Sequence, residues 1–168
     1  MFQRLFGLIK KKALMIKINV ILNNIIWKKY LKNPHHFIDQ KIELINKKNN
    51  LYKNKVLTCS LLLSGKSEIT RLNKKFRKKN KTTDVLSFPF YEKKILNYKI
   101  KKEKEIYLGD IIINISEIKD KKNYNKFQQE LNKLWIHGLV HLFGYQHKRN
   151  IDFDKMNKLE KKYLQYIN

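Results

Sequence analysis

Three of the chain's five histidines fall inside the run HGLVHLFGYQH, at positions 137, 141 and 147. On a helix, His137 and His141 lie on one face, one turn apart. Both imidazoles then reach one ion about 2.0–2.1 Å from each nitrogen. A third ligand approaching from another direction cannot come from the next helical turn, so the chain must leave the helix and return. Gly144 suits that departure, because a glycine at a helix C-terminus adopts a left-handed conformation without Cβ strain. His147 follows and swings back. Three histidines on a helix and turn leave one corner of a zinc tetrahedron to water, the arrangement of a catalytic rather than a structural site. An isolated H-x3-H is more simply two ordinary histidines, but Gly144 and His147 move the reading to a metal. His35 and His36, beside Pro34, lack this geometry and read as surface residues at a helix start.

The spacing matches the long zinc-protease motif H-E-x-x-H-x-x-G-x-x-H except at position 138, which is Gly where those peptidases carry their general base. Glycine inside a helix costs about 1 kcal/mol relative to alanine. The expected gain is room beside the metal. Without the glutamate, peptide hydrolysis by that route is disfavoured.

The elements that must hold these residues can be followed along the chain. Residues 1–14 form an N-terminal extension, and 15–168 a single domain. IKINVIL is β-branched and predicts a strand; Pro34 opens a helix with Phe37, Ile38, Ile42 and Ile45 at helical spacing. VLTCSLLLS (56–64) predicts a second strand, and Ser67 caps a helix through SEITRLNKKFRKK. A polar turn then leads to a short strand ended by Pro89. Residues 91–105 read as a lysine-rich solvated excursion. IYLGDIIINIS (106–116) makes a fourth strand, with Gly109 as a bulge or close approach. A helix through QQELNKLWIHGLVHLF and a last one from about Asp152 complete an α/β or α+β layer sandwich.

Composition bounds the partners. The formal charge is +24, yet 42% of the chain is hydrophobic, so it is not a disordered polycation. Clustered lysines suit a polyanion, but Lys, Asn and Ile also rise together under AT-rich coding, so charge alone does not name nucleic acid. Only Arg4, Arg71, Arg77 and Arg149 are arginines. In a chain that writes lysine almost everywhere, a surviving arginine marks a site for a planar, bidentate donor. One cysteine, Cys59, rules out an internal disulfide and fits a reducing compartment. No stretch approaches the roughly 20 apolar residues of a membrane span, and the chain reads as cytoplasmic.

HGLVHLFGYQH resembles the H-G-x-x-H-L-x-G-Y-x-H motif of the YbeY family, single-domain metal-dependent endoribonucleases of ribosomal RNA maturation. RLNKKFRKKNKTTDVLSFPF (71–90) and YLGDIIINI (107–115) resemble two further segments of that family, and Met156 and Glu160 follow the histidines in the expected order. The resemblance implies an α+β fold with a four-stranded mixed sheet flanked by helices and a bound zinc ion. It also implies cleavage of single-stranded RNA in ribosomal RNA processing, including the 3′ end of the small-subunit RNA, with the small ribosomal subunit as partner. One departure is Gln146, where the family usually has Asp; glutamine still hydrogen-bonds but carries no charge.

The expected roles follow. His137, His141 and His147 hold zinc, with water in the fourth position. Arg77 binds the scissile phosphate and the developing charge, as its place in the family motif implies. Asp84 and Asp110 are candidate carboxylates for the second ring N–H of a ligand histidine, although Asp84 serves equally well as a turn cap. Lys78, Lys79 and Lys81 extend the groove for the RNA backbone. Thr82, Thr83 and Ser87 are phosphate donors or simply turn residues. Three rivals stand beside this reading: a zinc peptidase, a hydrolase of small phosphates, and a non-catalytic RNA-binding or ribosome-assembly factor. Asp152 or Asp154 as a fourth ligand would favour the last.

Overall fold

The computed structural model describes residues 15–48, 54–146 and 150–167. The N-terminal extension, and with it the expected appendage at 1–14, lies outside the described residues.

Strand β1 (Met15–Leu22) alternates exposed and buried positions, sending Ile16, Ile18 and Val20 inward. A short helix α1 (Trp27–Tyr30) and a long one, α2 (Pro34–Lys48), return the chain to β2 (Val56–Ser64), which lies parallel to β1. The outer edge of β1 is closed by a side chain acting as a strand: Asn46 Oδ1 accepts from Ile16 N at 2.8 Å, and Asn46 Nδ2 donates to Ile16 O at 3.0 Å. Helix α3 (Lys66–Arg77) leads to β3 (Val85–Pro89), and α4 (Lys93–Lys102) to β4 (Glu105–Asn114). A 3-10 turn (Ile115–Glu117), helix α5 (Tyr124–Leu142) and helix α6 (Asn150–Ile167) end the chain.

The strand order is β1-β2-β4-β3, with β2 parallel to β4 and β3 antiparallel to it. This is the expected α+β architecture with a four-stranded mixed sheet. Successive strand residues face opposite ways, and β4 uses that fully. Ile111 and Ile113 enter the main core beneath α2, α5 and α6, whereas Ile112 joins Ile69 and Leu86 in a smaller cluster under α3. A bulge at Gly109 resets the alternation: the register slips between Thr58 and Cys59, so Tyr107 and Asp110, three apart, share the α3 side of the sheet. A Cβ at Gly109, whose φ is +130°, would lie 2.1 Å from the Phe88 carbonyl oxygen.

Two expectations are corrected. The segment 91–105 is not a solvated excursion: it contains α4, anchored by Leu96 and Ile100, which are buried in the main core. Their i, i+4 spacing is the helical signal that the surrounding lysines obscured. Ser67 does not cap α3. The cap lies two residues earlier, at Gly65, whose carbonyl accepts from Ile69 N, with no side-chain cap bond.

Candidate metal centre and its flanking edge

Helix α5 brings His137 and His141 together near its C-terminus. Their rings stand nearly perpendicular, centroids 4.6 Å apart, with the two Nε2 atoms 3.1 Å from each other. The opposite nitrogens are engaged: His137 Nδ1 lies 2.9 Å from Glu160 Oε1, and His141 Nδ1 lies 2.8 Å from the carbonyl oxygen of Tyr145. A carbonyl only accepts, and so does an ionised carboxylate, so both Nδ1 atoms carry the proton. In the neutral tautomers both Nε2 atoms then present lone pairs toward the same point. Two nitrogens on one tetrahedral zinc ion lie about 3.3 Å apart, close to the observed separation, and ligand histidines ordinarily donate their other N–H in this way. The donor set fits a cation.

Gly144 does what its position requires. Its φ is +81°, and its N–H donates to His141 O at 2.8 Å, ending the helix and aiming the Tyr145 carbonyl back at His141. A Cβ there would also lie 2.8 Å from Lys93 Cβ, so the glycine admits the start of α4. His147, the expected third ligand, lies outside the described residues. Among the described residues no third His, Cys, Asp or Glu completes a metal-binding cluster with the pair, Asp152 and Asp154 included.

Gly138 faces a different neighbour from the one expected. A Cβ there would lie 2.6 Å from Ile111 Cγ2 and 3.1 Å from Ser87 Oγ. The missing side chain therefore makes room for the sheet rather than for an ion, letting α5 settle on β3 and β4. Ser87 Oγ is buried there without a hydrogen-bond partner among the described residues.

The Ser87 carbonyl links this contact to Arg77. Within β3, Asp84 O accepts from Asn114 N and Phe90 N donates to Leu108 O, so even-numbered residues bond to β4 and odd-numbered ones face the open edge. Pro89, lacking an N–H, sits at one of those outward positions. Ser87 O, at another, accepts from the exposed Arg77 guanidinium at 3.4 Å. Arg77 thus ends α3 beside the strand whose inner side touches the helix of the histidines. Lys78, in a left-handed conformation, and Lys79 and Lys81 follow on an exposed loop held by Asn73, whose Nδ2 donates to Lys81 O at 2.7 Å. Arg71 spends its fork on Glu68, at 2.7 and 2.9 Å.

The chain matches the family model "Endoribonuclease YbeY" over residues 22–168. The chain belongs to the YbeY family. It is 39% identical over 155 residues to an endoribonuclease YbeY of Pelagibacter ubique, covering 91% of this chain and 97% of that one. A relative of the same name from Thermodesulfovibrio yellowstonii is 38% identical over 129 residues, 75% of this chain and 74% of the other. The solution structure of TM1509 from Thermotoga maritima superposes with a TM-score of 0.55 at 26% identity, covering 90% and 89% of the two chains. The YbeY match spans the histidine pair, Arg77 and Glu160. No helix among the described residues is long and apolar enough to cross a membrane.

Among supporting residues, the structure replaces the expected carboxylates. Asp84 Oδ1 accepts from Thr83 Oγ1 and from its neighbour Val85 N, the turn-capping alternative. Asp110 accepts from the Tyr107 hydroxyl at 2.6 Å on the far side of the sheet. Burial and that bond hold the Tyr107 phenol above its ordinary value. Thr82 and Thr83 serve the turn through Asn114 Nδ2. Glu160 is the carboxylate that sequence reasoning left without a role. It lies on α6, and nothing in local spacing says which helix will cross α5 at His137. A concavity of about 1200 Å³ is lined by Lys17, Asn19, Thr58, Ser60 and Tyr107 among others; it contains neither histidine nor Arg77.

Proposed function

We propose that this chain is a metal-dependent endoribonuclease that cuts single-stranded RNA, acting in ribosomal RNA processing, including the 3′ end of the small-subunit RNA, in the cytoplasm. Metal dependence is a general property of the YbeY family. The observation that carries the reading is the 3.1 Å approach of two Nε2 atoms whose partner nitrogens are both committed as donors. His137, His141 and His147 are the proposed ligands of one zinc ion. When bound, the ion supplies Lewis-acid polarisation and an acidified water.

The chain's own residues do the rest. Glu160 keeps the proton on His137 Nδ1, fixing tautomer and ring orientation, and the Tyr145 carbonyl does the same for His141. Arg77 binds the scissile phosphate and the charge that builds on it. One N–H rests on Ser87 O while the remaining donors of the exposed guanidinium stay available for a bidentate contact. Lys78, Lys79 and Lys81 take neighbouring phosphates. Gly138 leaves no carboxylate where a zinc peptidase would need its base.

Metal analysis of the purified chain, paired with cleavage of single-stranded and duplex RNA with and without chelator, tests this. The expected result is stoichiometric metal and chelator-sensitive cutting of the single strand. Full activity in metal-free protein would overturn the scheme, and bound metal without any cleavage would leave a zinc-stabilised RNA-binding factor in its place.

A further inference from the structure

On the α3 side of the sheet, beyond the edge that Arg77 grips, aromatic rings gather in two neighbouring groups, Phe76 with Phe88 and Phe90 with Tyr91 and Tyr107. Phe76, on the last turn of α3, meets Phe88 edge-on with centroids 5.1 Å apart. Phe90, just past β3, meets Tyr107 of β4 at 5.6 Å and Tyr91 at 4.8 Å. Phe88 and Phe90 share a face because they alternate along the strand with Pro89 between them. Phe76 remains 56% exposed and Phe90 63%, whereas Ile111, Ile112 and Ile113 of β4 are at most 4% exposed. Single exposed apolar side chains are normal, but two exposed phenylalanines, each resting on a half-buried ring of the same sheet face, mark a surface with a use.

The surroundings name the occupant. Lys75 Nζ lies 5.2 Å from the centre of the Phe76 ring, and Lys78 and Lys79 extend from the same helix end. Aromatic faces interleaved with lysines match an unpaired polynucleotide, whose bases stack while its phosphates meet the cations. A duplex hides its base faces and gains nothing from the rings. The carboxylate of Asp110, opposite Phe88 and held by the Tyr107 hydroxyl, repels phosphate but accepts from a base amine or a ribose hydroxyl, so it fits the base side of such a strand.

We propose that Phe76, Phe88 and Phe90 form a stacking track for the bases of single-stranded RNA crossing the open edge of β3, with Lys75, Lys78 and Lys79 along its phosphates. This rests on the endoribonuclease reading and adds to it a physical source of single-strand preference. Arg77, next to Phe76 in sequence, is bonded to the carbonyl of Ser87 on the strand that carries Phe88, and the Ser87 side chain faces Gly138 of the helix that bears the histidines.

The test uses the full chain and a labelled oligoadenylate of roughly a dozen nucleotides, its integrity checked on a gel after each titration. Phe76→Ala and Phe90→Ala should each weaken binding by about 5-fold or more, with unchanged melting temperature and an unchanged salt slope. Phe90→Trp should restore binding. Lys78→Ala should instead reduce the salt slope by about 0.7. Wild-type affinity in both alanine variants overturns the track, and so does a changed oligomeric state with RNA binding intact, which would assign these rings to a second copy of the chain. The endoribonuclease reading is judged separately: cleavage by variants that bind normally removes the track and leaves the enzyme, whereas ring-dependent binding without any cleavage does the reverse.

Discussion

Glu160 Oε1 and His137 Nδ1 meet at 2.9 Å across 23 residues, joining α6 to α5. The pair is partly exposed, with side-chain accessibilities of 23% and 30%. Its value to the fold is therefore modest, since polar pairs in contact with water contribute about 0–1 kcal/mol. Its value to the site is larger, because it decides which histidine nitrogen offers a lone pair to the position shared with His141.

Glu160→Ala should consequently weaken metal binding by about 10–100-fold while leaving the fold intact. Competitive titration against a zinc-sensitive dye, with far-ultraviolet circular dichroism as control, measures both. Unchanged affinity would mean that the carboxylate does not orient the ring.

His141→Ala removes one of the converging nitrogens and should lose both bound metal and RNA cleavage. Elemental analysis and a cleavage assay on the same preparation check this. Retained activity in that variant would exclude the histidine pair from the chemistry.

Arg77→Lys keeps the charge but loses the fork. Turnover should fall about 10²–10³-fold with metal content unchanged, the range for removing one donor to a developing charge. A variant with normal turnover would return Arg77 to the role of a surface residue on a basic helix.

Gly138→Ala gains about 1 kcal/mol of helix propensity but drives a methyl to 2.6 Å from Ile111 Cγ2. Overpacking of that kind costs about 1–3 kcal/mol, so the variant should be less stable overall. Urea denaturation gives the sign directly, and a stabilised variant would contradict the contact.

Burial, and then the charge of Asp110, push the Cys59 thiol from 9.0 up to about 12. The folded chain disfavours the thiolate, so this group's contribution to stability is intact below about pH 9 and is lost as pH rises from there toward 12. At neutral pH the thiol should resist iodoacetamide until the chain is unfolded in guanidinium. Mass spectrometry of native and unfolded samples reads this, and rapid native labelling would count against the burial.

Much of this molecule was legible in one dimension because its signals are local. Strands β1 and β2 follow from β-branched and apolar runs, α2 from the period of Phe37, Ile38, Ile42 and Ile45, and the turn after α5 from a glycine that must take a positive φ. The proximity of His137 and His141 follows from helical pitch alone. What failed locally was also a local matter: lysines masked the Leu96–Ile100 pair of α4, and Ser67 resembled a cap that Gly65 made unnecessary.

The sequence by itself determined the residue types of the site, the face that two of its histidines share, and the scarcity that drew attention to Arg77. Only the tertiary structure decided which carboxylate stands behind His137, that Gly138 yields to Ile111 rather than to an ion, and that Arg77 rests on the outward carbonyl of an edge strand. Those relationships join residues 10 to 27 positions apart, set by how α5, α6 and the sheet pack. Spacing along a chain fixes neighbours within a helix or strand. Neighbours between elements depend on how whole surfaces fill space, and no local period encodes that.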